Sequence, residues 1–237
     1  MLIVLNSVFA ILTMVFAVFM AMYKDEVAAP IELGITPALA FQFAKTPEDI
    51  ERLFYDLDGR ILDLFVAKMY WLTWIDFLFI TSYTGFIFSF IRLMKSGRHL
   101  LLLQSLLGLA LLIGLTDVLE NIQLLNVLKC LGECSGDNLQ HILDKQKVFT
   151  WLKWESTAVL LFLMIPFLWD RDFWLKVMSM LNVLVLIFGI SAILTNWNRQ
   201  CLTAISYFIS LIFIALGLFL IYALTRFIFS FKDHKVL

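Results

Sequence analysis

Residues 111–128, LLIGLTDVLENIQLLNVL, place Asp117, Glu120 and Asn121 inside an apolar run long enough to cross a bilayer. Their spacing of i, i+3 and i+4 puts all three on one face of a helix. A charged residue at the centre of a spanning helix costs about 2.5–3.5 kcal/mol on insertion scales, so two acids and an amide on one face need partners. Two other runs offer them. WLTWIDFLFITSY carries Asp76, with Thr73 and Tyr83 on nearly the same stripe, and VFTWLKWEST carries Lys153 and Glu155. Several carboxylic acids in a poorly hydrated site cannot all be charged, so at least one is expected to keep its proton unless a cation sits among them. Lys153 is the internal cation on offer. It stands only two residues from Glu155, which points the pair to different sides of a helix, and its long stem can also reach the membrane interface. The expectation is a shared pocket for a cation, proton or small ligand, lined by Asp76, Asp117, Glu120, Asn121 and Glu155, with Lys153, Tyr83 and Thr73 beside it. Intramembrane Asp, Asn, Ser and Thr also serve as plain interhelical hydrogen-bonding groups, worth about 0.6 kcal/mol each. For Asp76 alone the two uses weigh equally, whereas two acids on one face are a costly way to join helices.

The elements that must position these groups are transmembrane helices. Hydrophobic residues make up 62% of the 237 and charged residues 16%, where a soluble domain is nearer half and a quarter, and the mean hydropathy is +0.91. A net charge of −1 and a pI near 6.3 leave no basic footprint for nucleic acid. Runs of about 20 apolar residues mark spans, here near 2–23, 65–93, 100–128, 148–169, 173–194 and 201–229. The expected fold is an all-α polytopic helical bundle, one membrane domain over 1–237, with six transmembrane helices and one helix outside the membrane. The first run lacks the Lys or Arg of a signal-peptide n-region, and its apolar core is long for one, so a retained span is expected.

Basic residues in short connections set orientation. Arg92, Lys95 and Arg98, then Arg171 and Lys176, then Arg226, Lys232 and Lys235 fall on one side of a six-span chain. That side is expected to be cytoplasmic, with both termini. Trp71, Trp74, Trp151, Trp154 and Trp197 then fall at the outer interface and Trp169 and Trp174 at the inner one, the levels indole rings prefer. The polar residues of the third span lie in its outer half, so the pocket is expected to open outward.

The outer segment 24–64 holds TPEDIERLFYDLDGR. Thr46 as N-cap, Pro47 at the first helical position and Glu48 and Asp49 in the first turn predict a helix over 47–58. Ile50, Leu53, Phe54 and Leu57 give it one apolar face. Its acidic character argues for packing on the bundle's end rather than on anionic lipid, as a lid over the pocket or as a structural cap. Cys130 and Cys134, in CLGEC, lie in an outer loop where a disulfide is expected in an oxidising compartment. His99, His141 and His234 lie outside the spans, so no intramembrane His-rich metal site is expected, and no phosphate loop or G-x-S-x-G elbow is present. No cofactor is implied. Ser206 and Ser210, with Gly114, Gly189 and Gly217, are expected to serve close helix packing.

Phe41, Ala44 and Thr46, Asp76 before Phe77 with Tyr83, and Asp117, Glu120 and Asn121 form F-x-x-A-x-T, D-F…Y and D-x-x-E-N elements. In these the chain resembles a group of bacterial multi-spanning inner-membrane proteins to which no activity is attached. The resemblance implies the bacterial inner membrane and no function.

Three functions fit the residues. A small-solute, cation or proton binding or transport protein would exchange its ligand at the carboxylates and needs a polar path across the bundle, for which the inner halves offer Ser82, Tyr83, Ser89 and Asn182. An assembly or regulatory subunit would hold a closed polar network and meet a membrane-protein partner. A lipid-modifying enzyme would use a carboxyl acid/base pair and needs a lateral opening. The lipid bilayer is the partner common to all three.

Overall fold

The computed structural model describes residues 2–24, 36–56, 58–94, 100–169, 173–198 and 202–233. Six stretches of helix are long and apolar enough to cross a membrane. They are α1 (Leu2–Lys24), α4 (Asp63–Leu93), α5 (Leu100–Cys130), α6 (Gly136–Leu163) continued by α7 (Ile165–Leu168), α8 (Phe173–Asn198) and α9 (Leu202–Asp233). Two short helices, α2 (Pro37–Gln42) and α3 (Pro47–Phe54), precede α4. Among the described residues β pairing is limited to one isolated bridge, between Tyr55 and Ile61. The chain is a multi-pass, all-α helical bundle, the form in which an apolar chain satisfies every backbone donor and acceptor without water. Leu57, Lys95, Arg98, His99, Arg171, Cys201, His234 and Lys235 lie outside the described residues, as do Asp25, Glu26, Glu32 and Arg199.

Two boundaries differ from the sequence expectation. The fourth span begins at Gly136, not near 148, because the polar stretch 136–147 is an amphipathic extension of α6 whose Leu143 is fully buried. Near its other end Pro166 lacks an N–H and its ring crowds the preceding turn, so α6 stops at Leu163 and α7 restarts at Ile165. Helix α3 ends at Phe54 rather than at 58. Asp56 Oδ1 accepts from the backbone N–H of Asp58 at 2.9 Å and of Arg60 at 2.8 Å, and Gly59 takes φ +73°. That turn competes with helix for the same donors and reverses the chain into α4.

The chain divides into two compact units, to both of which α1, α4, α5 and α6 contribute. One comprises Met1–Met14, Thr81–Ile113 and Trp154–Leu237. There Asn6 Nδ2 donates to the Phe86 carbonyl at 3.1 Å and to Ser89 Oγ at 2.9 Å, and Asn182 Nδ2 donates to the Leu161 carbonyl at 2.7 Å, one turn before the Pro166 break. Trp154 is buried edge-on against Phe213, so its ring packs inside this unit. The expected small-residue packing is uneven. A Cβ on Gly189 would meet the fully buried Phe208 ring at 2.9 Å, whereas one on Gly217 would meet nothing within 4 Å, and Ser210 is exposed. Gly189→Ala should therefore cost about 1–3 kcal/mol by overpacking, while Gly217→Ala should leave the melting temperature of the detergent-solubilised chain unchanged or higher. Equal effects at the two sites would contradict this packing.

The other unit comprises Val15–Ile80 and Gly114–Lys153. Its core is built by Phe41, Ile50, Leu53 and Phe54 of α2 and α3 against Phe65 and Met69 of α4, Val127 of α5 and Leu143 of α6. The Thr46 capping box is complete. Thr46 Oγ1 accepts from the Asp49 N–H at 3.3 Å, and Asp49 Oδ2 accepts from the N–H groups of Thr46 and Lys45 at 3.1 and 2.9 Å. Cys130 and Cys134 are disulfide-bonded, with Cα atoms 5.1 Å apart, across a turn in which Gly132 takes φ +75°.

Candidate functional site

Asp76 lies about 20 Å along α4 from Asp63 and Asp117 about 20 Å along α5 from Cys130, at about 1.5 Å per residue. Equal depth lets the two helices pair their polar faces. Asn121 Nδ2 donates to Asp76 Oδ2 at 2.9 Å. From α6, Lys153 Nζ donates to Asp117 Oδ1 at 2.9 Å and forms an ion pair with Glu120. The remaining Glu120 oxygen, Oε1, lies 2.8 Å from Thr150 Oγ1. Glu120 and Asn121 are 0% exposed, Lys153 5% and Asp117 6%, while Asp76 is only half-buried.

The network continues into backbone. A helix leaves its last carbonyls without intrahelical donors, and those of α2 are met by side chains of α6. Gln146 Nε2 donates to the Phe41 carbonyl at 2.7 Å and to the Gln42 carbonyl at 3.0 Å, and Thr150 Oγ1 lies 3.3 Å from the Gln42 carbonyl. Gln146, Thr150 and Lys153 stand at i, i+4 and i+7, one stripe of α6 facing α2 at one end and α5 at the other. Gln140 Nε2, further back along the helix, donates to the Lys45 carbonyl at 2.9 Å. Outside the membrane-spanning part, burial pushes the Lys45 ammonium down from its ordinary value, with nearby Lys147 adding to this and Asp49 opposing it. The Thr46 hydroxyl holds the exposed Glu48 carboxyl below its ordinary range.

Of the residues singled out from sequence, Asp117 and Glu120 are joined through Lys153, and Asp76 is joined to Asn121, the next residue of α5 after Glu120. Lys153 turns inward. Glu155 faces elsewhere, its Oε2 3.3 Å from where a Cβ on Gly189 would stand, because two residues along a helix rotate a side chain by roughly 200°. Thr73 is buried with its hydroxyl donating to the Met69 carbonyl of its own helix at 2.8 Å. Tyr83 is buried within the other unit. Sequence reasoning missed Gln146 and Thr150. The signal is their helical spacing from Lys153, but Gln146 falls outside the expected span 148–169, and Thr150, inside it, carries no charge to single it out.

Two carboxyl groups, of Asp117 and Glu120, thus meet one ammonium, and a third, of Asp76, stands beside them on Asn121. Buried side-chain atoms Glu120 Oε2, Asn121 Oδ1 and Gln146 Oε1 have no hydrogen-bond donor in the structure, apart from the ion pair that Glu120 makes with Lys153. Such atoms normally have partners. The arrangement can accept further positive charge or donors, and its buried acids are closed to a bulky reactant. No protein-family model matches the chain, and no curated protein or solved structure matches it either.

Proposed function

We propose that the chain is a bacterial inner-membrane protein that binds a proton in the cluster of Asp76, Asp117, Glu120, Asn121 and Lys153. The observation that carries this reading is the charge count. With Asp76, Asp117 and Glu120 ionised, carboxylates exceed the Lys153 ammonium by two in a largely dry site, and low dielectric makes that excess severely unfavourable. A proton relieves it without needing space. A metal ion fits less well, because Lys153 already takes the cation position between Asp117 and Glu120, and among the described residues no three His, Cys, Asp or Glu side chains converge to hold one. Half-buried Asp76 is the member through which a proton would exchange.

Binding is favoured over transport. Of the polar groups available for a path through the other half, Ser89 accepts from Asn6 and donates to the backbone of its own helix, and Asn182 is bonded to Leu161. Acid/base work on a lipid by Glu120 is disfavoured because a carboxyl with no exposed surface cannot touch a substrate. The assembly-subunit reading keeps one supporting observation, the closure of the network itself. Basic short connections support cytoplasmic termini, and the resemblance of three short sequence elements to those of bacterial inner-membrane proteins favours the location.

Infrared spectroscopy tests the reading. In a Glu155→Gln background at neutral pH, the protein should show the carbonyl band of a protonated carboxylic acid, shifted in deuterium oxide. Asp76→Asn, Asp117→Asn or Glu120→Gln should remove it, at least in part. A spectrum with no such band means that all three acids are ionised, and the proton-binding reading falls in favour of a purely structural network.

A further inference from the structure

Thr150 sits between two acceptors, Glu120 Oε1 at 2.8 Å and the Gln42 carbonyl at 3.3 Å, and a hydroxyl has one hydrogen to give. Which acceptor receives it depends on Glu120. An ionised carboxylate only accepts, and the shorter contact then takes the Thr150 hydrogen. A protonated carboxyl donates instead. With Lys153 held at the other oxygen, the acid's hydrogen goes on Oε1 and points at Thr150 Oγ1, whose own hydrogen is released to the Gln42 carbonyl.

We propose that proton binding at Glu120 is communicated to the α2–α3 segment through Thr150, whose hydroxyl turns from the carboxylate to the Gln42 carbonyl and tightens the docking of that segment. The inference rests on the proton-binding reading and adds a reader for it. The charged groups facing Glu120 are Lys153 of α6, Asp117 on its own helix and, through Asn121, Asp76 of α4. From α2 the Gln42 carbonyl reaches it through Thr150. Because α2 is one and a half turns long and α3 little more, neither holds itself together. Their stability is docking, and the Thr150 hydrogen bond to the last carbonyl of α2 adds to the two that Gln146 makes to Phe41 and Gln42.

Hydrogen exchange by mass spectrometry, on the full chain in nanodiscs and corrected for intrinsic rates, reads the docking of residues 36–54. Wild type should gain about twofold to tenfold in protection as pH falls, the range one net hydrogen bond provides. Glu120→Gln should hold the high value at every pH, since Lys153 claims the amide oxygen and leaves the NH2 group facing Thr150. Thr150→Val should flatten the response at the low value while keeping the carboxylic-acid infrared band, and Thr150→Ser should restore it. A pH response persisting in Thr150→Val overturns the coupling. Should Thr150→Val fail to fold, a Glu120→Gln protein whose segment still responds to pH overturns it equally. An acid band without any wild-type response sinks the coupling and leaves proton binding standing, whereas absence of the band sinks both.

Discussion

Replacing Lys153 by methionine is expected to remove about 3–5 kcal/mol of folded-state stability, the usual penalty for stripping one partner from a buried ion pair. Methionine keeps most of the side chain's length and apolar stem, so packing along α6 changes little. What disappears is the ammonium that bonds Asp117 and pairs with Glu120. Those two acids stand one helical turn apart on α5, and without Lys153 their mutual repulsion has no internal counter-charge. The triple variant Lys153→Met, Asp117→Asn, Glu120→Gln should recover most of the loss, because neutral groups of similar size often replace a buried ionic network with little penalty. Denaturation midpoints of the three proteins in one detergent check the claim. A single variant as stable as wild type would mean that Lys153 reaches the interface rather than the acids. A triple variant as unstable as the single would mean that packing, not charge, is what Lys153 supplies.

The cluster was partly legible because helical periodicity is a strong local rule. Asp117, Glu120 and Asn121 fall on one face whatever surrounds α5, and the order of spans sets Asp76 at the same depth. The direction of Lys153 was not legible. A lysine near a helix end can turn inward or reach outward, and the choice depends on the rotation of α6, which is fixed by Leu143 and Gln146 packing on α2 and α3. Depth alone places Glu155 in the same pocket, whereas its carboxyl packs beside Gly189, with Oε2 3.3 Å from where a Cβ there would stand. Hydropathy starts the fourth span near 148 since it weighs polarity without period, and this leaves Gln146 outside it. The acceptors at Phe41 and Gln42 are backbone oxygens at the end of a short helix, which no residue type announces. The six spans themselves were readable to within a few residues at most ends, because bilayer thickness sets their length.

Phe54→Ala should cost the α2–α3 segment about 3–5 kcal/mol, the range for truncating a fully buried aromatic ring. Phe54 has no exposed surface. Its ring meets Phe41 edge-on at 5.0 Å between centroids and lies tilted against Phe65 at 5.0 Å, so it joins α2, α3 and α4 at one point. The loss should be local. Helices this short do not persist in water without packing, whereas the spans are held by lipid and by their own backbone hydrogen bonds. Limited proteolysis and hydrogen exchange should therefore show residues 36–54 opening while the helical circular dichroism of the protein stays near wild type. Phe54→Leu, which leaves a smaller void, should open them less. Undocking α2 also withdraws the Phe41 and Gln42 carbonyls from Gln146 and Thr150. If those carbonyls help set the state of Glu120, the carboxylic-acid infrared band must change in Phe54→Ala although the substitution lies outside the cluster. An unaltered band in a protein with an open segment would show that the acids hold their proton independently of the cap, and an unopened segment would show that Phe54 does not hold it.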